Sequence, residues 1–167
     1  MTTRVGETVR HIVGVGDMKI AATPGDVLVT HALGSCLGIS AFDPQMGIGG
    51  LLHVMLPAAA INPEKARTQP FMFVDCGVPE FFRGLIACGA VKNRLVVKVA
   101  GGACVHNGGE DRFAIGKRNY VTLRKLFWQN GIFIASEDIG GTSPRTMHMD
   151  IASGRVWLNT CGVEKDL

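Results

Sequence analysis

Between residues 11 and 56 the chain is cut by Gly, Asp and Pro into five short strand-like runs, at about 11–15, 17–22, 27–31, 35–42 and 48–56. Strands this short and this closely spaced suit a sheet better than a helix bundle. Four more runs follow at 94–99, 132–136, 145–151 and 155–159, the last two spaced as a hairpin over Ala152-Ser153-Gly154. Only two segments carry helical spacing. The first has Phe71, Val74, Val78, Phe81, Phe82, Leu85 and Ile86 before Gly89; the second has Ile115, Val121, Leu123, Leu126 and Phe127 before Asn130-Gly131. Pro79 falls inside the first, where it would kink or split the helix. Two helices cannot cover both faces of so many strands laid in one flat sheet. The pattern therefore predicts an α/β chain in which strands pack on strands with helices outside.

A length of 167 residues at 47% hydrophobic content supports one core and is too short for two comfortable domains. The 22 glycines cluster at turns, as in Gly49-Gly50, Gly101-Gly102 and Gly140-Gly141. Five cysteines, Cys36, Cys76, Cys88, Cys104 and Cys161, show no C-x-x-C spacing, and the opening Met-Thr-Thr-Arg carries no apolar signal segment. Reduced thiols and a cytoplasmic location are expected. No apolar run approaches the roughly 20 residues of a membrane span. A net charge of +3 with dispersed basic residues gives nucleic-acid binding little support and is compatible with an acidic protein partner. Residues 58–70 mix small residues, prolines and charges, and read as a mobile loop.

The chemistry gathers around Gly34-Ser35-Cys36, six residues after Thr30 and seventeen before His53. The strand pattern breaks at Gly34 and resumes at Leu37, so Cys36 sits on a sharp turn where its thiol and its own N–H can face a substrate together. His53 alternates with Leu51 and Met55, opposite Leu52, Val54 and Leu56, and an imidazole in so apolar a strand needs a partner. Thiol, imidazole and hydroxyl are the parts of a nucleophile, its base and an orienting group. A valine at position 30 would test the last role, because a hydroxyl that only orients a ring can be removed with little change in stability.

Blander readings compete with this one. Buried Cys and strand His are common core residues. His31 is a second candidate base, but alternation allows only one of Thr30 and His31 to face the site. Cys104-Val105-His106 could join Cys36 and His53 at zinc, although the spaced Cys and His pairs of structural sites are missing. Gly14-Val15-Gly16 and Gly101-Gly102 lack the dinucleotide and phosphate-loop patterns and read as turn formers. Cys76, Cys88 and Cys161 read as structural, and His11, His106 and His148 stay unassigned.

Gly34-Ser35-Cys36 followed by His53-Val54-Met55-Leu56-Pro57, with Thr30 six residues before the Cys, resembles the CheD family of chemoreceptor glutamine deamidases. The likeness continues through Gly101-Gly102-Ala103, Ile115-Gly116-Lys117-Arg118-Asn119, Asp138-Ile139-Gly140-Gly141 and Arg145 to Ser153-Gly154. It departs at Ala100, where the family often has an aromatic, and at Cys104 and His106. The resemblance implies a single-domain layered sandwich of two mixed β-sheets flanked by helices over residues 11–160, between a flexible N-terminus (1–10) and a C-terminal tail (161–167). It implies deamidation of selected glutamines on cytoplasmic helices of methyl-accepting chemotaxis receptors, with Cys36 as nucleophile, His53 as base, Thr30 as its orienter, and Gly34 and Ser35 supporting the oxyanion. No metal, organic cofactor, nucleic acid or membrane insertion is implied, and a CheC-type phosphatase is the implied partner. A non-catalytic adaptor and a cysteine peptidase or transglutaminase-like enzyme remain the alternatives.

Overall fold

Alternation in two central strands divides the protein into two cores. The computed structural model describes residues 8–104 and 114–167. Within them run β1 (Val9–Ile12), β2 (Asp17–Ala21), β3 (Asp26–Leu33), β4 (Leu37–Asp43), β5 (Ile48–Val54), α1 (Pro63–Thr68), α2 (Val74–Ala87), β6 (Val96–Gly101), α3 (Ile115–Asn130), β7 (Ile134–Ile139), β8 (Arg145–Asp150), β9 (Val156–Thr160) and β10 (Val163–Asp166). Every residue of β4 and β5 is buried. Leu37, Ile39 and Ala41 of β4 and Leu52 and Val54 of β5 point to a cluster with Phe81 and Leu85 of α2 and Leu123 and Phe127 of α3. Phe42 and Leu51 point the other way, to Leu28, Leu33, Met147, Met149 and Leu158. Two apolar faces on one sheet require a cover on each side.

The covers are a second sheet and the helices. One sheet has the order β1-β3-β8-β9-β10 and the other β2-β5-β4-β6-β7. Both are mixed: β1 with β3 and β6 with β7 are parallel, and the remaining pairs are antiparallel. The layers thus run sheet, sheet, helices, with β4 and β5 in the middle layer. This is the layered α/β sandwich expected from the strand count, and the β8–β9 hairpin pairs as its turn signal predicted, Thr146 with Asn159 and Met149 with Val156.

Several local expectations are corrected. Residues 58–70 hold α1, started by the Asn62 side chain accepting the Lys65 N–H at 3.0 Å, with short 3₁₀ turns on either side. Residues 9–12, read as frayed in part, pair in parallel with β3, while 163–166, read as tail, form β10 against β9. Pro79 lies within α2 without splitting it, and Phe71 belongs to the 3₁₀ turn before that helix.

Candidate active site

Thr30 and His53 sit on the facing sides of the two sheets and meet across the gap. Thr30 is 0% and His53 1% exposed. The Thr30 hydroxyl donates to the Val13 carbonyl at 2.7 Å, and its oxygen lies 2.7 Å from His53 Nδ1. A hydroxyl has one hydrogen. With that hydrogen committed to Val13, Nδ1 must carry a proton and donate to Thr30, which leaves the lone pair on Nε2. Among the described residues Nε2 is buried and has no partner. His31 is exposed on the opposite side of β3, where its Nδ1 lies 3.5 Å from the Thr146 hydroxyl.

Strand register carries Cys36 to the His53 face. Gly38 pairs with His53 and Leu37 with Val54. Continuing that register sets Cys36 opposite Met55 and diagonal to His53, on the same side of the sheet. Cys36 is half-buried against the inter-sheet cluster. The turn that carries it is held at each carbonyl. Ala103 N–H donates to Gly34 at 2.8 Å, Asn119 Nδ2 to Ser35 at 3.0 Å, and Gly102 N–H to Cys36 at 2.9 Å. The same Nδ2 donates to the Met55 carbonyl at 2.9 Å. Gly34 and Ser35 therefore shape the turn through their backbones.

The segments singled out by resemblance form the cradle of this turn. Arg145, 6% exposed, donates to the Asp138 carbonyl at 2.6 Å and carboxylate at 2.5 Å, and also to the Gly140 carbonyl. Gly140 N–H then reaches Gly101 and Cys104 N–H reaches Gly141, each at 2.9 Å. Gly101 has φ +114°, and a Cβ there would lie 2.1 Å from the Cys36 carbonyl oxygen. Gly101→Ala is expected to destabilise the fold by about 2 kcal/mol or more and to displace the Cys36 turn. Thermal melting and turnover, measured on the same preparation, check this.

Burial sets the protonation states. It pushes the Cys36 thiol up, partly opposed by the thiol's own backbone N–H, and it pushes the His53 imidazole down to about 4. At neutral pH the two groups are a neutral thiol and a neutral imidazole whose free nitrogen is Nε2. Such a pair can form a thiolate on demand, by proton transfer as the sulfur attacks.

Thr30→Val tests the hydroxyl, and burial changes the outcome expected from sequence. The substitution leaves the Val13 carbonyl and the His53 Nδ1–H without their partner inside the protein, which costs roughly 1–3 kcal/mol for each group. We expect both a lower melting temperature and a kcat reduced by about 10–10²-fold, part of what general acid–base assistance supplies. An unchanged kcat and pH profile would reduce the site to Cys36 and His53.

Among the described residues no three His, Cys, Asp or Glu side chains are grouped to hold a metal. His106, named in the zinc alternative, lies outside the described residues. Of the remaining thiols, Cys76 donates to the Pro70 carbonyl at 3.2 Å, and Cys88 and Cys161 are exposed. Asn119 is the site residue that sequence reasoning left without a role; its only signal was its place in the Ile115–Asn119 motif.

Residues 55–160 match the CheD family model, described as CheD chemotactic sensory transduction. The matched span begins after Thr30, Cys36 and His53. A probable chemoreceptor glutamine deamidase CheD of Solibacter usitatus is 46% identical over 156 residues, covering 93% of this chain and 92% of the relative. The corresponding CheD 1 of Syntrophus aciditrophicus is 41% identical over 151 residues, covering 90% and 94%. CheD 2 of Anaeromyxobacter dehalogenans is 42% identical over 148 residues, covering 89% and 92%. With most of its length matched at these identities, the chain belongs to the CheD family.

Proposed function

We propose that this protein is a cysteine-dependent protein-glutamine deamidase acting on cytoplasmic helices of methyl-accepting chemotaxis receptors. The observation that carries the chemistry is the His53 ring held by Thr30 at Nδ1, with Nε2 unpartnered on the Cys36 face. The substrate class is supported by relatives named as chemoreceptor glutamine deamidases.

The Cys36 proton passes to His53 Nε2 as the sulfur bonds to the side-chain carbonyl carbon of glutamine. The carbonyl electron pair moves to oxygen. The Gly34 N–H is committed to the Ala32 carbonyl at 2.9 Å, so the oxyanion falls to the N–H of Cys36 and its neighbour Ser35, each well-placed donor contributing roughly 3–4 kcal/mol. The tetrahedral adduct collapses, the C–N bond breaks, and imidazolium His53 protonates the departing ammonia, leaving a thioester. Neutral His53 then takes a proton from water, and the hydroxide attacks the thioester carbon. The Cys36 sulfur leaves, recovers the proton, and glutamate is released. The Nδ1–H to Thr30 bond persists throughout and stabilises each imidazolium. No step calls for a metal or organic cofactor.

The reading extends to the cytoplasm, where a free thiol persists, to a catalytic domain spanning residues 11–160, and to a CheC-type phosphatase as protein partner. Intact mass spectrometry of a receptor cytoplasmic fragment tests the activity. The expected result is one mass unit gained and one ammonia released per converted glutamine, without cleavage. A fragment that binds yet keeps its mass would mark the protein as an adaptor.

A further inference from the structure

We propose that Asn119 is a positioning residue, tying the Ser35 and Met55 carbonyls together so that the Cys36 turn is held against the His53 strand with the Cys36 N–H directed at the forming oxyanion. The inference rests on Cys36 being the nucleophile.

One side-chain nitrogen spans two distant segments. Asn119 Nδ2 donates at 3.0 Å to Ser35 and at 2.9 Å to Met55, 84 and 64 residues away in the chain. Ser35 precedes the nucleophile, and Met55 lies two residues beyond the candidate base. These two bonds bridge the points where β4 begins and β5 has just ended. Asn119 is carried on α3, a rigid element, so the bridge has a fixed origin.

Peptide planarity converts this bridge into an orientation. In a trans peptide the C=O and the following N–H point in opposite directions. Holding the Ser35 oxygen toward α3 turns the Cys36 N–H away from α3. That N–H lies beside the Cys36 sulfur, where it favours the thiolate. It is therefore next to the atom that bonds to the substrate carbonyl. Donation to the Ser35 oxygen also polarises this peptide unit and strengthens its N–H as a donor.

A packing role does not account for the residue. Asn119 is 0% exposed, and among the described residues its Oδ1 is buried without a partner. Burying an unpaired carbonyl oxygen disfavours folding.

The test compares Asn119→Leu, of similar volume without donors, with Asn119→Asp. Each is assayed below its melting temperature for kcat and KM on the receptor fragment and for Cys36 alkylation by iodoacetamide with peptide mapping. Asn119→Leu is expected to lower kcat by about 10²–10³-fold with KM changed by less than about threefold, as for loss of an aligned oxyanion donor. Alkylation of Cys36 in Asn119→Leu is expected to slow at neutral pH, with its profile displaced upward as the turn leaves His53.

In Asn119→Asp a carboxylate opposes both carbonyls, whereas the protonated acid regains one donor. Its kcat relative to wild type is therefore expected to rise as the pH is lowered from about 8 to about 5. A folded Asn119→Leu with kcat within about twofold of wild type overturns the proposal. If that variant does not fold, an Asn119→Asp to wild-type ratio that stays flat with pH overturns it. Either result leaves the deamidase reading standing, provided that Cys36→Ser is inactive. Should wild type leave the fragment's mass unchanged, the deamidase reading falls, and an unaltered alkylation rate in Asn119→Leu separately overturns the positioning role.

Discussion

Cys36→Ser is expected to lower turnover by roughly 10⁴-fold or more while leaving the melting temperature close to wild type. The hydroxyl is nearly the size of the thiol and the site is half-buried, so packing changes little. On the proposed mechanism, what is lost is a nucleophile that His53 can deprotonate as it attacks. Burial pushes the Cys36 thiol up, so this cysteine is not set apart by a standing thiolate. Exposed Cys88 and Cys161 are therefore expected to react with iodoacetamide at least as fast. The diagnostic is the response of Cys36 labelling to its neighbour, which should slow in His53→Ala while Cys88 and Cys161 are unaffected. A Cys36→Ser protein retaining even a tenth of wild-type turnover would transfer the chemistry to another group.

His53→Ala should lower kcat by about 10²–10⁴-fold, the usual worth of a general base that also serves as the acid. His31→Ala should stay close to wild type, since that ring is exposed on the other side of β3. The reverse ranking would overturn the base assignment.

The pH dependence follows from burial. The His53 imidazole is pushed from 6.5 to about 4, so the base stays neutral, and kcat/KM should remain level from neutral pH to about pH 5 before falling. An acid limb centred near 6.5 would show that the working base is a solvated imidazole.

Stability carries the same signature. Between about 4 and 6.5 the unfolded chain binds a proton at His53 that the folded protein excludes. The contribution is therefore fully present above 6.5 and is lost as the pH falls through that window. It amounts to roughly 3 kcal/mol at most. Melting temperatures at pH 7 and pH 4.5 should differ more for wild type than for His53→Leu.

Much of the fold was legible in local pattern. Alternation through 37–54 announced β4 and β5, the Ala152-Ser153-Gly154 turn announced the β8–β9 hairpin, and helical spacing announced α2 and α3. Elements that bury little were missed. All four residues of β10, Val163–Asp166, are exposed, and a charged edge strand carries no apolar alternation. α1 buries no residue, so no apolar stripe marks it. Its signal was Asn62-Pro63, a capping residue followed by a proline suited to the first helical turn. Asn119 sat in a motif of interest, but its burial and both of its bonds depend on segments 64 and 84 residues away.

By itself the sequence determined what a period of two can encode. It put a thiol on a Gly-Ser-Cys turn, His53 on one face of its strand, and Thr30 and His31 on opposite faces. Its motif order pointed to the family. These are local consequences of backbone geometry, in which neighbouring side chains must alternate. Only the tertiary structure decided which groups meet and in what state of protonation. Thr30 and His53 belong to different sheets, so their contact exists only because the sheets stack. The Val13 carbonyl accepts the hydroxyl's one hydrogen bond and so selects the imidazole tautomer. Removal of water on stacking raises the thiol and lowers the imidazole, and no run of neighbouring residues encodes that environment.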